Sequence, residues 1–203
     1  GQDNQTVGRV NHLGFWVDGE FSWINEDWHI ERRYLKESLV TDVLVRNDRL
    51  GIEARFHDLV DTYDNFLLRE IKVRSTNDKE HHVRIYFHQD FSISENEVGD
   101  TAFYDPRTES VIHYKKNRWF LINTKSPVKI GVTDWSVGKK GMAGLEGTYK
   151  DAEDGKLGGN PIVQGSVDSV VGINLTVPAK AEVTAHYWMC MGKNYDEVVK
   201  LDA

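Results

Sequence analysis

Along much of the chain apolar and polar residues alternate one for one. This is the period of a half-buried strand, whose successive side chains point to opposite faces of a sheet. The cleanest case is residues 82–93. Val83, Ile85, Phe87, Gln89, Phe91 and Ile93 share one face, and His82, Arg84, Tyr86, His88, Asp90 and Ser92 share the presumed outer face. Asp18-Gly19 separates two aromatic-rich runs, residues 13–17 and 20–24, and predicts a hairpin, because a type I′ turn needs positive φ at both central residues. Further strands are predicted around Trp28, Ile30 and Tyr34, over 39–46, at Ile52, Ala54 and Phe56, and over 66–75. The short Asn77-Asp78 link predicts that 66–75 and 82–93 form an antiparallel hairpin.

Later strands are expected at Val111–Tyr114 and Trp119–Ile122, with a short one over 128–135. A last pair is expected from Val171 to Val177 and back from Val183 to Met191. Two stretches break the pattern. From Ser94 to Pro106 the chain is polar, and from Ser136 to Gly165 it carries eight glycines and no sustained period. Both read as loops, and a loop as long as the second is usually functional, an insertion or an interface element. At the end, Asn194 is placed to cap a helix, with Glu197 at the third position of a capping box and Val198 and Leu201 on one face. A helix this short needs something to pack on. The prediction is an all-β fold: a large antiparallel β-sandwich of roughly a dozen short strands over residues 1–192, then a helical stub over 193–203. The polar first nine residues and the interrupted helix are those expected of a piece cut from a longer protein.

Composition narrows the function. A formal net charge of −7 argues against a nucleic-acid or anionic-membrane surface, which needs clustered Lys and Arg. No apolar run is long enough to span a bilayer, and no signal-peptide pattern is present. Cys190, the only cysteine, has no intrachain partner and fits a reducing, cytoplasmic setting.

The candidate chemistry is sparse. Glu95, Glu97, Asp100 and Asp105 lie close together and could supply a glycosidase acid and base. Solvated loop carboxylates are the commoner outcome, and the spacing does not match a calcium loop. His81, His82, His88 and His113 read as separate hydrogen-bonded histidines rather than a zinc site. Among six tryptophans, Trp16, Trp23 and Trp119 read as core, while Trp135, at the entrance to the Gly-rich stretch, is open to exposure. No nucleophile elbow, P-loop, dinucleotide fingerprint or CxxC occurs, and no cofactor or metal is expected.

Longer motifs add a resemblance. LGFWVDGEFSWI, VRIYFHQDFSISENEVGDTAFYDP, GLEGTYKDAEDGKLGGNPIVQGSVDS and the closing YWMCMGKNYDEVVKLD together resemble the amino-terminal β domain of glycoside hydrolase family 15. These are the prokaryotic glucoamylases and glucodextranases. The likeness runs from about Val7 to the end, starting after the family's first strand or two. It implies a β-supersandwich followed by a linker helix and an (α/α)6 barrel. The family's inverting hydrolysis of terminal α-glucosidic bonds uses two glutamates of that barrel, so no catalytic residue is expected in this chain. The expected partner is the barrel of the same parent protein, with α-glucan a further candidate. Contacts are expected from two segments, through Glu95, Asn96, Asp100 and Tyr104 in one and Trp135, Asp151 and Asp154 in or beside the other. Two alternatives stay open. One is a stand-alone carbohydrate-binding module. The other is a mutarotase-type sugar epimerase, which needs His88 or His113 to face a carboxylate across a concave sheet.

Overall fold

The computed structural model describes residues 10–96, 98–140 and 147–203. In chain order its first seven strands are β1 (Leu13–Val17), β2 (Glu20–Trp23), β3 (His29–Tyr34), β4 (Thr41–Asn47), β5 (Ile52–Val60), β6 (Phe66–Ser75) and β7 (His81–Gln89). The next four are β8 (Asp100–Asp105), β9 (Ser110–Lys115), β10 (Arg118–Lys125) and β11 (Asp134–Lys139). A helical turn α1 (Thr148–Asp151), strands β12 (Ile162–Gly165), β13 (Val167–Val177) and β14 (Glu182–Gly192), and helix α2 (Tyr195–Asp202) complete it. Two antiparallel sheets result. The five-stranded sheet has the order β11-β13-β7-β1-β2, and the nine-stranded sheet β12-β8-β9-β10-β14-β6-β5-β4-β3. This is the all-β sandwich that the alternation predicts.

The sheets pack through the apolar faces of their strands. Phe15, Ile85, Phe87, Val171 and Ile173 come from one sheet, and Ile52, Phe56, Ile71, Val111 and Ile122 from the other. The predicted β1–β2 hairpin forms in register Val17↔Glu20, with Asp18 and Gly19 both at positive φ. Two other predicted pairings do not form. β6 lies between β5 and β14, whereas β7 lies between β1 and β13 in the opposite sheet. Likewise β13 and β14, joined through Pro178, belong to different sheets. In both cases the chain crosses the sandwich, because the apolar faces of the two strands meet across the core instead of lying side by side. Alternation specifies a strand's face, not its neighbour.

The two stretches read as loops also carry structure. The predicted 82–93 strand stops at Gln89, and a 3₁₀ turn over Ile93–Glu95 follows, with Ser94 and Glu95 at positive φ. The polar run then becomes β8, paired with β9 and β12. The strand expected over 128–135 starts at Asp134 instead, and Ile130 makes a single bridge to Lys125. The Gly-rich stretch contributes the end of β11, α1, a 3₁₀ turn over Ala152–Asp154, and β12.

Each sheet's outer face has a cover. α2 is the predicted helix: Asn194 Oδ1 accepts from Glu197 N at 2.9 Å. Val198 and its flanking apolar residues sit over Ile112, Leu121 and Cys190 of the nine-stranded sheet. Residues 147–157 form the other cover, with Ala152 and Leu157 against Tyr86, Val170, Trp16, Phe21 and Trp23 of the five-stranded sheet. This strap is bonded to the sheet. The carbonyl of Gly155 accepts from Tyr86 Oη at 2.8 Å and from Arg84 Nη1, and Glu153 accepts from Trp23 Nε1 at 3.1 Å.

Candidate functional site

Where β7 ends, the chain turns through residues 90–96 on two buried lysines. Lys115 of β9 donates its Nζ to the carbonyls of Ile93 and Asn96, each at 2.9 Å, and to Asn96 Oδ1 at 2.6 Å. It also pairs with Asp100 at 3.0 Å. Lys140 reaches the carbonyl of Phe91 and pairs with Asp90 at 2.6 Å. Burial pushes the Asp100 carboxyl above its ordinary range, and the Lys115 ammonium opposes this without cancelling it. The two lysines hold the turn in shape by charge-assisted bonds in a water-poor setting. Nothing in the sequence distinguishes them from surface lysines, because their carbonyl and carboxylate partners lie well away from them along the chain.

The seven residues expected to form contacts fall into three groups. Glu95 and Asn96 are exposed on the turn, and Asp100 is buried beneath it in the Lys115 pair. Tyr104 and Trp135 stack on each other, with ring centroids 3.7 Å apart and planes at 6°, and both pack against the main core. Asp151 and Asp154 belong to the strap, where each accepts a backbone N–H at 2.8 Å, from Gly158 and Lys156 respectively. They line an open hollow of about 660 Å³ with Ser136, Thr148 and Asn160. Glu97 lies outside the described residues.

The carboxylates of β8 are not an acid–base pair. Asp100 and Asp105 stand at opposite ends of the strand, five residues apart, which at a strand's rise is roughly 17 Å and puts them on opposite faces. Two carboxyls flanking one glycosidic bond stand within about 10 Å of each other. Asp105 is instead part of the α2 anchor, accepting from Tyr195 Oη at 2.5 Å and from Arg107 N at 3.0 Å. Burial would raise its carboxyl, but these donors hold it below the usual range. At the other end of α2, Asp202 accepts from Trp188 Nε1 at 2.8 Å and Asn123 Nδ2 at 3.0 Å.

The histidines are separately bonded. His81 contacts Asp18 at 2.7 Å and Asn77 at 3.0 Å. His88 does lie on the outer face of its strand, but the strap covers that face. Its Nε2 is 3.2 Å from Asp168, and its ring lies edge-on to that of Tyr149. His113 is wholly enclosed between the sheets, 2.7 Å from Ser169, which bonds Gln89, which in turn donates to Tyr187. Burial first, then the nearby Lys140 and His88 charges, pushes His113 down to about 3. Both histidines are enclosed. The carboxylate that His88 meets, Asp168, stands on the neighbouring strand of its own sheet rather than across a concave face, and His113 meets a serine, so neither forms the arrangement required for a sugar epimerase. No group of three or more His, Cys, Asp or Glu side chains suited to a metal ion occurs among the described residues. No described helix is long and apolar enough to cross a membrane.

The architecture defines a class: the large β-sandwich of two antiparallel sheets. A bacterial glucoamylase solved with acarbose superposes with a TM-score of 0.73 over 93% of this chain and 27% of its own, at 13% identity. A putative kojibiose phosphorylase from the human microbiome gives 0.54 over 94% of this chain and 23% of its own, at 12% identity. A polysaccharide lyase gives 0.55 over 95% and 27%, at 8% identity. In sequence, an uncharacterized glycosyl hydrolase of Methanocaldococcus jannaschii is 23% identical over 78 residues, covering 38% of this chain and 12% of that protein. No protein-family model matches the chain. The fold implied by the resemblance to the glucoamylase β domain is the fold observed, and the chain spans about a quarter or less of each of these four proteins.

Proposed function

We propose that this chain is a non-catalytic β domain of a glucoamylase-like glycoside hydrolase, whose parent hydrolyses terminal α-glucosidic bonds with inversion. Its work is structural: it packs on an (α/α)6 catalytic barrel of the same polypeptide and assists that barrel's folding. The observation that carries this reading is the superposition on bacterial glucoamylase over nearly the whole chain. Two features support it. The carboxylates Asp100 and Asp105 are committed to internal pairs. Helix α2 is tied down at Tyr195 and at Asp202, which gives any polypeptide beyond it a set direction of departure.

The test is a hydrolysis assay. The purified 203-residue chain is expected to release no glucose from maltose, malto-oligosaccharides, isomalto-oligosaccharides or trehalose. Turnover that co-purifies with the chain through successive columns would sink the non-catalytic assignment.

A further inference from the structure

At the end of the sandwich where β1 begins, the inner face of the nine-stranded sheet is only partly covered. Three rows of paired residues show the cover tapering off. Ile30, Val45 and Ala54 form the innermost row; Val45 and Ala54 are buried. Arg32, Val43 and Phe56 form the next. Tyr34, Thr41 and Asp58 form the outermost, where Tyr34 is 66% exposed. Val60 continues this face and is 62% exposed, with Leu35, Leu39 and Tyr63 exposed on the adjoining hairpin tips. A hollow of about 260 Å³ opens here, lined by Leu13, Ile24, Ile30, Val43 and Phe56. On its floor Asp58 and Arg69 form a two-pronged pair at 2.6 Å. Arg32 also lines the hollow, and it has no ion-pair partner among the described residues.

Clustered exposed apolar side chains mark interaction surfaces. The other large faces are already occupied. The strap closes one sheet and α2 closes part of the other. The rest of the nine-stranded sheet's outer face is laced by Arg33 and Arg55 on Asp42, His57 and Lys72 on Glu70, and Arg74 on Glu53. Docking on those pairs would desolvate charges that are already satisfied. Residues 1–9 carry a single apolar side chain, Val7. The bacterial glucoamylase, by contrast, has nearly three-quarters of its chain outside the matched part, since the match covers 27% of it.

We propose that this tapering face is the docking seat for a further domain of the same polypeptide, one that presents an apolar surface and a carboxylate for Arg32. The seat rests on the functional reading above only for the identity of its occupant. The experiment uses the polypeptide as encoded. Tyr34→Ser combined with Val60→Ser is expected to speed proteolytic cleavage just beyond residue 203 by about tenfold or more, as a docking free energy of modest size is lost. Arg32→Glu, an exposed single change, is expected to speed it about threefold or more. Hydrogen exchange in β7 and β13 should stay unchanged, which separates undocking from unfolding.

Unchanged cleavage in both variants overturns the seat, as does a polypeptide that ends at Ala203. A concentration-dependent dimer abolished by the same substitutions also overturns it, assigning the face to a second copy. If the variants undock but the intact polypeptide cleaves no α-glucoside, the seat stands and the glycosidase reading falls.

Discussion

The two sheets are covered on their outer faces by elements of opposite kinds. α2 is a regular helix with a capped start, an apolar face over Cys190 and Leu121, and a polar anchor at each end. The strap over residues 147–157 has one helical turn and one 3₁₀ turn, and it is held by aromatic packing and by the carbonyl of Gly155. Both bury a sheet face, but by different means. The helix satisfies most of its own backbone groups and contributes side chains. The strap offers the Gly155 carbonyl to Tyr86 and Arg84 and the Glu153 carboxylate to Trp23, so it depends on those three side chains of the sheet being in place.

The largest expected effect separates the two covers. Tyr86→Ala removes a fully enclosed ring and the donor to Gly155, and should destabilise the protein by about 3–5 kcal/mol in denaturant unfolding. Hydrogen exchange should then rise over residues 147–157 and stay low over α2. Equal loss in both would show a single cooperative unit and end the distinction.

An acid titration asks the same question through the shared core. His113 is held neutral when folded, at about 3, against 6.5 unfolded. The unfolded chain therefore binds more protons between those values. The stabilising contribution is complete above pH 6.5 and is lost as pH falls toward 3. Between pH 6.5 and 5.0 the loss should be about 1.6 kcal/mol, read as the difference between the wild type and His113→Gln. Both covers should lose protection together in that window. A stability difference that stays flat with pH would contradict the buried neutral imidazole.

Gly155→Ala acts on the strap alone. Gly155 sits at φ +82°, and a Cβ there would stand 2.4–2.7 Å from atoms of the Trp16 indole. The expected loss is about 1–2 kcal/mol, with a change in tryptophan emission as Trp16 is displaced. Unaltered emission and stability would mean that the strap does not rest on Trp16. The smallest effect is on the helix: Asn194→Ala should cost about 1 kcal/mol and fray α2 without changing exchange in the strap.

The same contrast explains what could be read before the fold was known. Local chemistry was legible wherever a residue's role depends on its near neighbours in the chain. Asn194 and Glu197 form the predicted cap, Asp18-Gly19 the predicted turn, and strict alternation marks the central run of β7. The strap was not legible, because its partners lie some 70 to 130 residues away and its own residues follow no period. The same holds for the Lys115 and Lys140 pegs, for β8 inside a polar run, and for the three separate locations of the seven expected contact residues.

By itself the sequence determined that the chain is all-β, which face of most strands is buried, and where the helix starts, since these follow from side-chain period and from bonds spanning three or four residues. Only the tertiary structure decided which strands are neighbours, that β6 and β7 part into different sheets, and which polar residues are enclosed. Those outcomes depend on which apolar faces meet across the core, and pairing between distant strands leaves no mark on the local pattern.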